Sequence, residues 1–133
     1  MSDLNRAIEV AVDAHFSQYD KNGEPYILHP LRVMLAQEDE VSRIVAVLHD
    51  TVEDSNTVGH GDILALFGES VHAAIVALTR RGDETYEAFI DRAKADPIAR
   101  RVKIADIKDN LRPGAEHLKA RYHAALAVLE TPV

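Results

Sequence analysis

Cysteine and tryptophan are absent from this 133-residue chain, and its aromatic residues are four Tyr and three Phe. Without cysteine there are no disulfides, no thiolate nucleophile and no Cys-type zinc site. With so few aromatics the core has to be aliphatic and alanine-rich, and a stacking platform for single-stranded nucleic acid is poorly supplied. Cations are outnumbered, 15 Lys and Arg against 22 Asp and Glu, a formal net charge of −7. That balance weighs against a nucleic-acid duplex or an anionic membrane as the main partner, because both select clustered cations. It leaves room for a phosphorylated small molecule held by a metal and a few local cations. No run approaches the ~20 apolar residues of a membrane span. The N-terminus, Met1-Ser2-Asp3-Leu4-Asn5-Arg6, lacks the basic start and apolar run of a signal peptide. The expectation is a soluble, cytoplasmic protein.

What is present is globular in composition. Apolar residues make up 47% of the sequence, and the length suits one domain, residues 1–133, around a single core. Helical periodicity recurs along the chain. Leu4, Ile8, Val12 and Phe16 lie one turn apart, flanked by Ala7 and Ala11, and predict a helix to about Gln18 that Ser2 or Asp3 can cap. Tyr19 to Tyr26 is a loop with Asn-Gly and Glu-Pro turn signals. A second helix starts at Ile27-Leu28-His29-Pro30, with proline in the first turn where its missing N–H costs nothing. A third runs from about Glu40 to Asp54. Ser55 to Gly61 interrupts the pattern, and helices from Asp62 to Phe67 and Ser70 to Leu78 follow, separated by Gly68. After a basic turn at Thr79 to Asp83, Asp83 can cap a helix with Tyr86, Phe89 and Ile90 on its inner face. Asp96-Pro97 opens another helix, which Pro113-Gly114 stops, and the last helix spans Ala115 to Glu130. His15, His60 and His72 read as structural, loop or surface residues. No segment alternates like a strand, and none repeats. The fold expected is all-α, seven or eight helices with no sheet.

One stretch stands out, Leu48-His49-Asp50-Thr51-Val52-Glu53-Asp54, with four ionisable side chains at the end of the apolar run Ile44 to Leu48. On a continuous helix His49 and Glu53 would share one line, and Asp50 and Asp54 the next. Three clustered acids repel, and their desolvation is costly without a compensating cation. Those residues alone fit either a divalent-metal site or a frayed, solvated helix end. Asp106 sits oddly within Ile104-Ala105-Asp106-Ile107. Two imidazoles and two carboxylates, His29, His49, Asp50 and Asp106, would form an N/O set suited to Mn, Fe, Zn or Mg with positions left for water.

At this point the sequence resembles the HD-domain metal-dependent phosphohydrolase superfamily, whose name describes the His49-Asp50 pair. It is most similar to RelA/SpoT-type (p)ppGpp hydrolase domains and small stand-alone alarmone hydrolases. Four pieces match in order: Ala14-His15-x-x-Gln18-x-x-Lys21-x-Gly23-x-Pro25-Tyr26-x-x-His29-Pro30; Leu48-His49-Asp50-x-Val52-Glu53-Asp54; Phe67-Gly68 before a helix ending in Leu78-Thr79; and Val102-Lys103-Ile104-Ala105-Asp106-x-x-x-Asn110. The resemblance implies an HD-type helical bundle. Its metal ligands would be His29, His49, Asp50 and Asp106, typically for Mn2+, and its catalytic acidic pair Glu53 and Asp54. Lys21, Asn22 and Asn110 would contact a nucleotide. It also implies the reaction, attack of metal-bound water on the 3′-diphosphate of (p)ppGpp with release of pyrophosphate, in the stringent response.

The sequence departs from that pattern in three places. Asp20-Lys21 stands where the family has a basic pair whose arginine helps hold the guanine base. Ile107-Lys108-Asp109-Asn110 replaces the common Arg-Leu-His-Asn, and Arg112-Pro113 stands where a threonine is often found. Two alternatives therefore stay open: an HD-domain hydrolase of a different nucleotide or phosphoester, and a non-catalytic nucleotide-binding module. No oligomeric state follows from the sequence.

Overall fold

A computed structural model of the chain describes residues 3–112 and 116–132. Its organising element is α3 (Glu40–Leu48), whose Val45, Ala46, Val47 and Leu48 are all fully buried. A helix that is apolar all round must be covered all round. It is covered by α1 (Leu4–Ala14), α2 (Leu28–Leu35), α6 (Glu69–Ala77) and α8 (Pro97–Asn110). The remaining helices are α4 (Thr51–Asp54), α5 (His60–Phe67), α7 (Tyr86–Ala95) and α9 (Lys119–Glu130), the last preceded by a 3-10 turn, Glu116–Leu118. Eight of the nine are at least eight residues long, and among the described residues there is no sheet, only an isolated antiparallel bridge from Tyr19 to Pro25. No helix among these residues is long and apolar enough to cross a membrane. The all-α expectation holds.

Buried apolar side chains form two clusters, and α8 joins them. Ala99 and Val102 belong to the larger one with α1, α2, α3, α5 and α6, whereas Ile107 belongs to the smaller one with α7 and α9. Because α8 is shared, a residue near its C-terminal half, such as Asp106, is set against α2 and α3 on one side and the α7–α9 layer on the other.

Several boundaries differ from the sequence expectation, each for a local reason. The first helix stops at Ala14, and Ser17 adopts a left-handed conformation, φ 65°. Its inner face is therefore Ala7, Ala11 and Ala14, while Val12 and Phe16 are exposed, Phe16 at 78%. The small face lets α1 lie close on α3. Asp3 occupies the helix start without a side-chain cap, and Thr85 rather than Asp83 caps α7, its hydroxyl accepting from Ala88 N at 3.1 Å. Asp96 does cap α8, accepting from Ile98 N and Ala99 N at 2.9 Å each, with Pro97 in the first turn. His60 and His72 are half-buried and meet edge to face, ring centroids 5.4 Å apart. The expected cap at Ser2, the Pro113-Gly114 stop and the start at Ala115 lie outside the described residues.

The end of α6 is secured by a side chain from α7. Arg92 donates to Val76 O and Thr79 O at 2.8 Å and to both carboxylate oxygens of Glu84 at 2.9 Å. Helix C-termini leave carbonyls without intrahelical partners, and a guanidinium fork suits them. The Arg92 hydrogen bonds hold the Glu84 carboxyl down at about 2. Glu84 is thus protonated later in the folded chain than in the unfolded one. Its contribution to stability is complete above the ordinary carboxyl value of 4.5 and is lost as pH falls from there through about 2. Glu84→Gln is expected to flatten that part of the acid-unfolding curve, followed by circular dichroism, and Arg92→Ala to lower the melting temperature at neutral pH.

Candidate metal centre

The expected third helix, Glu40 to Asp54, is broken in the structure at the residues that matter most. α3 ends at Leu48, His49 and Asp50 form a turn, and α4 restarts at Thr51. Both keep right-handed helical backbone angles, φ −60°, ψ −28° for His49 and φ −103°, ψ 0° for Asp50, and their side chains converge, His49 Nε2 lying 3.1 Å from Asp50 Oδ2. The carbonyls freed by the break are taken locally. His49 Nδ1 donates to Ala46 O at 2.5 Å, and Thr51 Oγ1 donates to Leu48 O at 2.8 Å. Asp54 N donates to Asp50 O at 2.9 Å, so Asp50 and Asp54 keep the one-turn spacing expected of a helix, with Glu53 and Asp54 on α4.

Two further helices complete the cluster. α2 brings His29, whose Nε2 is 2.8 Å from Asp106 Oδ1 and 3.9 Å from Asp50 Oδ2. α8 brings Asp106, whose Oδ1 is also 3.2 Å from His49 Nε2. One ligand atom from each of His29, His49, Asp50 and Asp106 lies within 4.8 Å of all the others, so the four could hold a metal ion together. His29, His49 and Asp106 are buried, and the Asp50 side chain is 19% exposed, which leaves one side of the group open. In each histidine Nδ1 is engaged outside the cluster, by Ala46 O for His49 and by Asp109 Oδ2 at 2.6 Å for His29, so both Nε2 atoms face inward. Two inward imidazole nitrogens and two inward carboxylates are a fitting donor set for a divalent first-row ion.

The electrostatics are those of a site arranged around positive charge. Burial would raise Asp106, but Lys103 Nζ at 2.8 Å from Oδ2, together with His49 and His29, holds it well below the usual carboxylate range. Burial likewise opposes ionisation of Asp50, yet His49 keeps it at about 2, helped by the Tyr26 hydroxyl donating to Oδ2 at 2.6 Å. Conversely, burial would lower His49, but the charges of Asp50 and Asp106 raise it well above the ordinary imidazole value, and His29 is raised mainly by Asp106. Burial also pushes up Glu53 and Asp54, and Asp50 adds to both. Glu53 Oε1 accepts from Arg80 N at 3.0 Å, and Asp54 O accepts from Gln18 Nε2 at 2.8 Å, which ties α4 to the chain after α6 and to the end of α1.

Beside the cluster opens a cleft of about 280 Å³ lined by Tyr26, His29 and Asp109 together with Lys21, Asn22 and Asn110. The three residues expected to touch a nucleotide therefore lie in one cavity with a member of the metal cluster. Asn110 also reaches Asp106, Nδ2 to Oδ1 at 3.4 Å. Asp20 has a different task from the arginine it stands in for. Its Oδ1 accepts from Asn22 N at 2.9 Å and Glu24 N at 3.0 Å and so shapes the loop. Sequence reasoning singled out neither Lys103, Tyr26 nor Asp109. Lys103 carried a readable signal, a lysine three residues before a buried acid on one helix. His15, read as structural, is buried with Nδ1 2.9 Å from Gln18 Oε1 and its ring against Tyr26.

No protein-family model matches the chain. Among curated proteins, it is 35% identical over 122 residues, 83% of its length, to the guanosine-3′,5′-bis(diphosphate) 3′-pyrophosphohydrolase of Aquifex aeolicus. It is 35% identical over 124 residues to the bifunctional (p)ppGpp synthase/hydrolase RelA of Mycobacterium tuberculosis. Among solved structures it superposes with TM-score 0.80 on a metazoan ortholog of SpoT that hydrolyzes ppGpp, covering 97% of this chain and 85% of that one at 23% identity. Over most of its length the chain is similar to RelA/SpoT-type proteins, and it shares the helical fold of the solved structure. It spans about 17% of the length of each of the two curated relatives named. The structural likeness supports the same helical fold.

Raised imidazole pKa values in the metal-free chain mean that a divalent cation must displace protons from His29 and His49. Calorimetric titration with Mn2+ in buffers of different ionisation enthalpy is therefore expected to show proton release on binding, with affinity rising from pH 6 to 8 by roughly tenfold or more. His49→Ala and Asp106→Asn are expected to abolish the binding isotherm.

Proposed function

We propose that this domain is a metal-dependent phosphohydrolase that removes pyrophosphate from the 3′ position of (p)ppGpp, acting on a small nucleotide in the cytoplasm. The observation that carries the reading is the meeting, at His29, of the four-residue donor cluster with the cleft that Lys21, Asn22 and Asn110 line. The relatives' names supply the substrate, and the cluster supplies the reaction class.

His29, His49, Asp50 and Asp106 would hold the cation, Mn2+ being the family's usual ion. When bound, such an ion polarises a phosphoryl oxygen and lowers the pKa of a coordinated water. The chain's own residues account for the rest. Glu53 and Asp54, on the turn after His49 and Asp50, have carboxyl groups raised by burial and by Asp50, the direction that favours a proton-carrying carboxyl. Glu53 is oriented by the Arg80 amide and takes or returns a proton at its second oxygen. Tyr26 donates to Asp50 Oδ2 and also interacts with the Asp54 carboxylate. Lys21 offers a cation to phosphate oxygens at the cleft, and Asn22 and Asn110 offer amides to phosphate or ribose. Water adds to the phosphorus next to the ribose 3′-oxygen, that P–O bond breaks, and pyrophosphate leaves while the 3′-oxygen takes up a proton.

A second reading, hydrolysis of another nucleotide or phosphoester by the same machinery, is favoured by Asp20. Its carboxylate is committed to the loop amides of Asn22 and Glu24, and it stands where the family's base-holding arginine is expected. A panel of ppGpp and ordinary nucleotides with Mn2+ separates the two. The expected outcome is pyrophosphate release from ppGpp; turnover of another nucleotide with ppGpp untouched would replace the alarmone by that substrate. Asp54→Asn is expected to lower kcat by about 10²–10⁴-fold while leaving Mn2+ binding intact, and Lys21→Ala to act mainly on KM. Metal binding without turnover of any member of the panel would instead favour a non-catalytic binding module.

A further inference from the structure

We infer that Asp109 is the positioning residue for the ligand histidine His29, an inference that rests on the metal-site reading proposed above. A neutral imidazole lends the Nε2 lone pair to a cation only when its proton sits on Nδ1. His29 Nε2 faces the cluster, and its Nδ1 is 2.6 Å from Asp109 Oδ2. A carboxylate can only accept, so Asp109 keeps the proton on Nδ1 and makes the ring a better donor through Nε2. His49 achieves the same result with a backbone partner, Ala46 O.

Asp109 is itself anchored from α2. Arg32 reaches it with two donors, Nε to Oδ1 at 2.7 Å and a terminal nitrogen to Oδ2 at 3.1 Å. Arg32 follows His29 by three residues on α2, and Asp109 follows Asp106 by three on α8, so the helices meet through two rungs. His29–Asp106 is the inner rung and Arg32–Asp109 the outer one, with the His29–Asp109 bond joining them. Asp109 also lines both the nucleotide cleft and a larger groove of about 630 Å³ behind it, so the ion pair forms part of the wall between them.

A role confined to docking α2 on α8 would predict loss of stability without a specific effect on His29. Asp109→Asn distinguishes the two. With one oxygen, asparagine satisfies Arg32 only by turning its amide nitrogen toward His29, which moves the imidazole proton to Nε2. The full chain carrying Asp109→Asn is expected to bind Mn2+ about 10–100-fold more weakly by calorimetry, to lose the Nδ1–H signature of His29 in ¹⁵N spectra of the zinc-loaded protein, and to be rescued largely by Asp109→Glu. Arg32→Met is expected to shift affinity in the same direction by less. Wild-type affinity in Asp109→Asn, or an unchanged His29 tautomer with only a lower melting temperature, overturns the inference while leaving the metal site standing. A wild-type chain that binds no Mn2+ overturns the metal site and this inference together. If Asp109→Asn fails to fold, the zinc-loaded wild type decides, because His29 protonated at Nε2 and metallated at Nδ1 contradicts the assignment.

Discussion

Everything in this structure is arranged around a carboxylate that would be unstable without company. Asp106 is buried in the middle of α8, and a buried acid is tolerated only when paired and hydrogen-bonded. Lys103 takes one of its oxygens, and His29 and His49 share the other. Those contacts require α2 and α3 to lie against α8 at one depth, so the same electrostatic requirement that builds the donor set also fixes how three helices dock. The apolar clusters provide most of the driving force, at about 1.5–3 kcal/mol for each fully buried aliphatic side chain such as Leu48 or Ile107. They do not select a register, whereas the polar group does.

The break between α3 and α4 follows from the same requirement. Across the two residues of the break the His49 ring donates to Ala46 O and the Thr51 hydroxyl to Leu48 O. Asp50 stands at the start of α4 and its carbonyl accepts from Asp54 N at 2.9 Å, so Glu53 and Asp54 follow that ligand on the same turn, tied also to Arg80 and Gln18.

Much of this was legible in the residues. Asp96-Pro97 announced α8, Gly68 separated α5 from α6, and Asp106 betrayed itself as an acid in an apolar frame. What periodicity could not show was contact between elements far apart in sequence. The break at His49-Asp50 was invisible because its cause, Asp106, lies 56 positions on, and local propensity favours continuing the helix. On α1 the expected face holds for Leu4, Ile8, Ala7 and Ala11, but Val12 and Phe16 are exposed, because close packing on α3 selects the alanines. Asp109 looked like a mere departure from a familiar pattern. Only the structure shows that the departure falls against His29 and is backed by Arg32 from the same helix as that histidine.

The central claim is that His29, His49, Asp50 and Asp106 converge on one cation, and anomalous diffraction from crystals grown with Mn2+ tests it most directly. The account predicts a single strong manganese peak coordinated by His29 Nε2, His49 Nε2 and a carboxylate oxygen each from Asp50 and Asp106, with its open side toward the cleft of Lys21 and Asn110. No peak at that point, or a peak held by other residues while these four remain paired with one another, would contradict it.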